Sequence, residues 1–302
     1  MEQWLNAPTG FRSGHIVVLG RPNTGKSTLF NALVGERLSI TTDKPQTTRK
    51  TILGIYTTDK AQMMFLDTPG LLDPAYRLHE LMRDEISSAT EGADIILCLV
   101  DATDLDRTFD DQVVKAVTGH SIPLIVALNK SDLVSEEQKT NALRRIEETD
   151  SPKQAIAVSA LTGSNVLDLR STLEENLPLG PRFYPEDVLT EQPERFFCEE
   201  LIREEIFNRL RQELPYAIAV QVESFDEDGK KIYIAANVIV ERKSQKGIVI
   251  GRGGKTLREI GKNARVRIEK FLQHPVFLDL HVKVIQNWRK KDTALRSLGY
   301  GP

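Results

Sequence analysis

The sequence predicts an α/β domain built on a mainly parallel sheet, followed by a smaller α+β domain. From His15 to Leu177, short β-branched runs alternate with amphipathic helical stretches, the pattern of parallel strands covered by helices on both faces. Four prolines, at 178, 181, 185 and 193, then break the pattern, and no apolar period runs between Leu177 and Phe196. Beyond them the order becomes helix, strand, strand, helix, helix, strand. A chain of 302 residues has room for two independent cores. The expected division is a tail at 1–13, a first domain at 14–178, a linker at 179–195, and a second domain at 196–302 that closes in a polar tail.

Strands of the first domain are expected at 15–20, 51–57, 62–67, 94–101, 123–129 and 154–160, and helices at about 26–34, 76–91, 109–118, 135–149 and 165–177. Only a few polar residues separate Thr51–Thr57 from Gln62–Asp67, so these two are read as an antiparallel hairpin at one edge. In the second domain a helix at about 194–213 presents Ile202, Ile206 and Leu210 on one face. Strands Ala217–Phe225 and Lys231–Glu241 follow, joined by a turn at Asp226–Gly229. A glycine-rich stretch then leads into a long helix to about Leu272 and a strand at Val276–Ile285.

Forty per cent apolar and 27% charged residues describe an ordinary globular chain with a formal net charge of −3. The charge is unevenly placed: Glu241 to Lys270 holds ten Lys/Arg against three Glu, a surplus of +7 that leaves −10 for the remainder. One basic face on an acidic protein suggests a local polyanion site. Cys98 and Cys198, one hundred residues apart, fit neither a disulfide framework nor a metal pair, so a reducing compartment is the default. The first fourteen residues carry no early basic cluster and no long apolar core. The longest aliphatic run is about that of Ile95–Val100, far short of the ~18 to 20 residues of a membrane span.

Gly20-Arg21-Pro22-Asn23-Thr24-Gly25-Lys26-Ser27-Thr28 fits G-x-x-x-x-G-K-[ST] without a mismatch and sits between an expected strand and an expected helix. Such a turn gathers backbone N–H groups and a helix N-terminus around one point, where a di- or triphosphate can sit. Lys26 is expected to reach the β- and γ-phosphates, and Ser27 to hold magnesium. The third strand ends in Asp67-Thr68-Pro69-Gly70, followed by Leu71. A carboxylate there can hold magnesium through water, and Gly70 can offer its N–H to a γ-phosphate. In the polar segment Ser39–Arg49, Thr48 is the preferred third magnesium ligand, joining only when a γ-phosphate is present, with Thr47 as the alternative.

Asn129-Lys130-Ser131-Asp132 selects the base. A carboxylate accepts two hydrogen bonds from guanine's ring N–H and amine, and adenine does not present that pair; the mismatch costs ~1 to 3 kcal/mol or more. Asn129 is expected to tie loops together, and the Lys130 stem to cover the ring. Ser159-Ala160-Leu161 would place a backbone N–H near the guanine oxygen. The candidate catalytic residues are Lys26, Thr48 and Gly70, and the candidate magnesium ligands Ser27, Thr48 and Asp67.

In this order the five stretches make residues 15–177 resemble a P-loop GTPase domain of the translation-factor-related class. Leu71 stands where Ras-like proteins carry a water-orienting glutamine, so slow intrinsic turnover is expected. The resemblance also implies potassium beside the phosphates, because Asn23 matches a position that helps hold that ion in several related GTPases.

In the second domain, Val249 to Lys255 contains G-x-x-G at the start of a basic helix. Glycines at 251, 253 and 254 remove Cβ atoms where a sugar-phosphate backbone would approach. Leu257, Ile260, Ala264, Ile268 and Leu272 make a core face, with Lys255, Arg258, Lys262 and Arg265 off it. This is the plan of a KH module of type II, which clamps about four nucleotides of single strand. The candidate RNA contacts are Lys246, Ile250, Gly251, Arg252, Gly253, Gly254, Lys255 and Arg258.

GRPNTGKST, KPQTTRK, DTPGL, NKSD and SAL, with YPEDVLTEQPERF, VERKSQKGIVIGRGGKTLREIG and the closing ALRSLGY, together resemble the bacterial Era family of GTPases over nearly the whole chain. That resemblance implies GTP or GDP with Mg2+, a KH domain on the 3′ end of small-subunit ribosomal RNA, and a role in 30S subunit maturation. It also implies residence in the cytoplasm with peripheral contact at the membrane. Two departures stand out: Leu72–Tyr76 (LDPAY) lacks the basic character of the family's second switch, and Thr24 replaces the more usual valine. A reading of another class is an RNA-binding protein in which nucleotide is a structural ligand. A phosphotransferase is disfavoured by N-K-x-D and by the absence of a lid stretch in the sequence.

Overall fold

The computed structural model describes residues 7–42, 44, 46–149, 152–211 and 213–301. The chain forms two compact units, one comprising the chain through Asp73 with Met82–Glu191, the other Pro74–Leu81 with the chain from Gln192 onward. The division is therefore not a single cut: the first turn of a helix that begins at Arg77 is counted with the second unit.

The first unit is a six-stranded sheet in the order β2-β3-β1-β4-β5-β6. Its strands are β1 (Arg12–Leu19), β2 (Ile52–Thr57), β3 (Ala61–Asp67), β4 (Ile95–Asp101), β5 (Leu124–Asn129) and β6 (Gln154–Ala157). β2 and β3 pair antiparallel at one edge and the other neighbours run parallel. Every residue of β4 and β5 is buried, as helices on both faces require. Those helices are α1 (Lys26–Val34), α2 (Arg77–Glu91), the short α3 (Leu105–Thr108), α4 (Asp111–Thr118), α5 (Glu136–Glu147) and α6 (Val166–Asn176).

Several boundaries differ by a few residues from those read off the sequence, among them the helix expected to about 213, which ends at Arg209, and three in the first unit have a visible cause. β1 starts at Arg12, so the expected N-terminal tail, of which residues 1–6 lie outside the described residues, is shorter. The helix expected at 109–118 begins only after Asp110, whose carboxylate accepts from Val113 N at 3.0 Å and caps it. β6 ends at Ala157, because Ser159 N turns back to Ser164 O at 3.0 Å and the chain leaves the sheet.

The proline-rich stretch is packed rather than free. Gln62 Oε1 accepts from Phe183 N and Tyr184 N at 2.7 and 3.0 Å, while its Nε2 donates to Tyr184 O at 2.9 Å. Ile55 N donates to Leu189 O at 2.8 Å, so this segment covers the exposed edge of β2.

The second unit has a three-stranded sheet, β7 (Ala219–Asp226), β8 (Ile232–Val240) and β9 (Val276–Val284), antiparallel between the first two and parallel between the last two. One face is covered by α7 (Glu194–Arg209), α8 (Lys243–Ile250) and α9 (Lys255–Leu272) around a core that includes Ile202, Ile206, Ile234, Val238, Ile260, Ala264 and Ile268. The long helix expected after the glycines is α9, and it is parted from α8, the other helix of the expected pair, because Gly253 and Gly254 take left-handed φ values of 59° and 75°. The expected polar tail is also folded. Trp288 is fully buried, its Nε1 donates to Ala217 O at 3.0 Å, and α10 (Asp292–Ser297) follows with Leu295 in the core. Among the described residues no helix is long and apolar enough to cross a membrane.

Candidate nucleotide and nucleic-acid sites

The phosphate loop hangs between β1 and α1, at the carboxyl ends of the parallel strands. Gly25 holds φ at 95°, and a Cβ there would lie 2.3 Å from Asn129 Nδ2, so only glycine lets the loop press against the end of β5. Asn129 completes that junction: its Nδ2 donates to Thr24 O at 2.8 Å and its Oδ1 accepts from Ala160 N at 2.9 Å. One amide thereby ties the phosphate loop, the N-K-x-D strand end and the Ser159–Leu161 turn. The Thr24 hydroxyl is buried and donates to Arg21 O, so this side chain faces inward and only its backbone is offered to a ligand.

Lys26 is buried, and its ammonium donates to Gly20 O at 3.1 Å and Arg21 O at 3.0 Å. Burial lowers its pKa to about 8, against the opposing charge of Asp67. Between about pH 8 and 10.5 the unfolded chain binds this proton and the folded one does not, so the group adds stability as pH rises through that window. Phosphate restores the charge. Nucleotide binding is therefore expected to take up protons, more at pH 8 than at pH 7. Calorimetry in two buffers of different ionisation enthalpy reads this, and equal heats at pH 8 would exclude the lysine as the titrating group.

Four side chains converge beneath the loop. Asp67 Oδ2 accepts from Ser39 Oγ at 2.7 Å, Ser27 Oγ at 2.9 Å and Thr48 Oγ1 at 3.3 Å, and the Ser27 and Thr48 hydroxyls are 2.9 Å apart. Asp67 Oδ1 is buried with no partner. Burial raises the Asp67 pKa, with the Ser39, Ser27 and Thr48 hydroxyls and the Lys26 charge pulling the other way. A raised carboxyl pKa favours the folded state in acid, and that advantage is lost as pH rises through the folded value. An orphaned, desolvated carboxylate beside two hydroxyls suits a hard divalent cation with oxygen ligands. The Thr47 hydroxyl is not part of this cluster: it is bonded to Thr42 Oγ1 at 2.9 Å and Lys44 O at 2.8 Å, although the residue lines the cavity above it.

A cavity of about 320 Å³ opens above this cluster, lined by Pro22, Asn23, Gly25, Lys26, Ser27, Thr28, Thr48, Gly70 and Lys130 with the segment Ile40–Thr42. Gly70 lies close under Pro22, where a Cβ would approach to 3.0 Å, and Leu71 N donates to Gly20 O at 3.0 Å. The Thr68 hydroxyl faces away, donating to Val18 O at 2.7 Å, and Pro69 continues the turn. Arg21 also points aside, pairing with Asp110 and donating to Leu71 O at 3.4 Å. At the end of β5, Lys130 takes φ 60° and its ammonium pairs with Asp101. Ser131, Ser159 and Ala160 are buried, Asp132 is exposed, and Leu161 is 84% exposed.

In the second unit Gly251, Gly253 and Gly254 differ in purpose. A Cβ on Gly251 would strike Thr256 Oγ1 at 2.2 Å, so this glycine serves the chain's own packing, whereas Cβ atoms at 253 and 254 would meet nothing within 4 Å. The open space above these two is where an external backbone can approach. Arg252, Lys255 and Arg258 are exposed around it, with Lys246 and Ile250 half-buried on α8. Beside it runs a groove of about 400 Å³ with Leu257, Leu278 and Leu280 on its floor and Arg258, Lys262 and Arg265 along it.

The basic surplus is not all on this surface. Arg267 turns inward to Glu204 and to Glu205 at 2.8 Å, and Arg209 pairs with Glu259. Residues that sequence reasoning passed over are Ser39, whose hydroxyl sits in an unpatterned polar loop, and Phe277, exposed in the groove and stacked on Tyr233 at 5.8 Å. No periodicity marks either one.

Residues 15–130 match the family model described as a 50S ribosome-binding GTPase, and residues 213–289 match that of the KH domain. The chain is 42% identical over 292 residues to GTPase Era of Geobacter metallireducens, spanning 96% of this chain and 98% of that one. Among solved structures, Era in complex with MgGDPNP and nucleotides 1506–1542 of 16S ribosomal RNA superposes with a TM-score of 0.94 at 34% identity, covering 97% of this chain and all of that one. A variant of Aquifex aeolicus Era bound to GDP·AlF4− gives a TM-score of 0.93 at 34% identity, again over 97% of this chain and all of that one.

Proposed function

Because the chain belongs to the Era family of GTPases, we propose that it is a GTP-hydrolysing switch that binds the 3′ end of small-subunit (16S) rRNA and acts in 30S subunit assembly. The observation that carries this reading is the pairing of two sites on one chain: the Ser27, Thr48 and Asp67 cluster under a phosphate loop, and the open Gly253–Gly254 turn among exposed cations.

In this reading Gly20 to Thr28 cradles the phosphates, Lys26 neutralises developing charge, Gly70 senses the γ-phosphate, and Asp132 reads guanine. Ser27, Thr48 and Asp67 hold Mg2+, which bridges and neutralises phosphate oxygens when bound. The charge reorganisation is local: Lys26 gives up two backbone carbonyls, and Asp67 gives up hydroxyl partners that a cation can share. Cytoplasmic residence, with peripheral contact at the cytoplasmic face of the membrane, belongs to the same reading; both cysteines are free and buried, in keeping with a reducing compartment.

Leu71 offers no hydrogen bond to orient water, so intrinsic turnover is expected to be slow and to rise when RNA binds. Asn23, at the cavity rim with φ 67°, is the residue through which potassium would act. The hydrolysis rate is expected to be several-fold higher in potassium than in sodium, and equal rates would remove Asn23 from that role.

The switch is tested by equilibrium binding of a labelled 3′-terminal rRNA fragment at one stated salt concentration, with a non-hydrolysable GTP analogue, with GDP, and without nucleotide. The analogue is expected to tighten binding about five-fold or more, a coupling of ~1 kcal/mol. Three equal affinities would favour the alternative, an RNA-binding protein in which nucleotide is a structural ligand.

A further inference from the structure

Pro74–Leu81 begins four residues after Gly70, yet it belongs to the second unit. One guanidinium of that unit meets it twice, through a hydroxyl and a ring face. Arg289 Nη1 donates to Tyr76 Oη at 3.2 Å, and Nη2 donates to Glu241 Oε2 at 2.6 Å. Arg289 Cζ also lies 4.8 Å from the centre of the Tyr76 ring, within range of a cation–π contact. The neighbouring Arg77 donates to Asp292 Oδ1 at 2.7 Å.

The two ion pairs are not equal. Arg77 and Asp292 have side chains 40% and 59% exposed, where solvent and salt screen the attraction. Arg289 and Glu241 are 21% and 9% exposed. Trp288, the residue before Arg289, is fully buried and bonded to Ala217 O, so packing fixes the point from which the guanidinium reaches. Glu241 stands at an equally defined place. Its N–H and that of Arg242 donate to Gln245 Oε1 at 2.8 and 3.0 Å, closing the first turn of α8. That helix ends at Gly251, where the glycine clamp begins.

We infer that Arg289 is a positioning residue for nucleotide-controlled RNA binding: held between Tyr76 and Glu241, it joins the segment that follows D-x-x-G to the helix that delivers the glycine clamp. The inference rests on the switch reading proposed above. A nucleotide that rearranges the residues after Gly70 moves Tyr76, and Arg289 must either follow it or lose both the hydroxyl and the ring face. Either response changes what Glu241 and the start of α8 receive. The planar fork of arginine directs two donors at once, whereas lysine presents a single flexible point charge and cannot hold both partners in that geometry. Spatial connection alone does not establish coupling, so the test measures the coupling itself.

The experiment compares the full chain with Arg289→Ala, Arg289→Lys and Tyr76→Phe. For each, affinity for the labelled 3′-terminal rRNA fragment is read with the GTP analogue and with GDP, alongside GTP affinity and thermal unfolding. The unaltered protein is expected to show a ratio of about five or more. Both Arg289 variants are expected to fall within about two-fold of unity while GTP affinity stays within about two-fold of the original. Tyr76→Phe, which keeps the ring and removes one oxygen, is expected to give an intermediate ratio. A ratio near one in the unaltered protein overturns the switch and this inference together. A full ratio in the unaltered protein that survives in Arg289→Ala, or in Arg289→Lys, overturns the role of Arg289 alone. If Arg289→Ala unfolds the second unit, Tyr76→Phe decides, and an unchanged ratio there overturns the inference.

Discussion

Asp132→Asn is expected to weaken GTP binding by roughly 100-fold, ~3 kcal/mol, and to create affinity for xanthosine triphosphate. The carboxylate is matched to two donors on guanine, the ring N–H and the exocyclic amine. An amide still accepts one of them but turns its own NH2 toward the other, leaving two donors facing each other. Xanthine carries a carbonyl where guanine carries the amine, and the pairing is restored. Asp132 is exposed in a short turn, Ser131–Leu133, anchored by Ser131 N to Val158 O at 3.1 Å, so the substitution disturbs no packing. Unfolding temperature is therefore expected to move by no more than about 2 °C. Competition titrations with GTP and xanthosine triphosphate measure both halves of the prediction. Unaltered GTP affinity would mean that the base is read elsewhere.

Gly253→Asp is expected to reduce RNA affinity at least about 100-fold at moderate salt and to leave GTP affinity unchanged. It places a carboxylate in open space beside Arg252 and Lys255, where a phosphodiester would approach, and it does so without a clash, since a Cβ there meets nothing within 4 Å. Its φ of 59° lies in the left-handed region, which aspartate enters more readily than most residues. Gly251 is the contrasting position: its Cβ would strike Thr256, so a substitution there damages α9 itself. Retained RNA binding in Gly253→Asp would move the contact surface away from this turn. Loss of GTP binding as well would show that the chain had unfolded.

The phosphate loop, D-x-x-G and N-K-x-D were legible because each demands particular residue types at fixed short spacing. Phosphates need glycine N–H groups and a lysine, guanine needs a carboxylate, and both lie at the carboxyl ends of strands that β-branched runs announce. The same holds for the order of elements in the second domain and for the hairpin at the sheet edge. The break between α8 and α9 was legible from the glycines at the start of the second helix, but which of them serves packing and which stands in open space was not, because that depends on Thr256 folding back onto Gly251.

What the sequence by itself determined is therefore the class of ligand at each end of the chain and the succession of strands and helices that carries it. Only the tertiary structure decided that Ser39 shares Asp67 with Ser27 and Thr48 across 28 residues, and that Arg267 spends its charge on Glu204 and Glu205 rather than on the surface. It alone folded the polar tail around Trp288, and it alone brought Arg289 to Tyr76, 213 residues away. The physical reason is the range of the constraint. A motif is enforced by backbone geometry over a few residues, whereas these partners are chosen by packing between distant segments, and no local period or spacing records that choice.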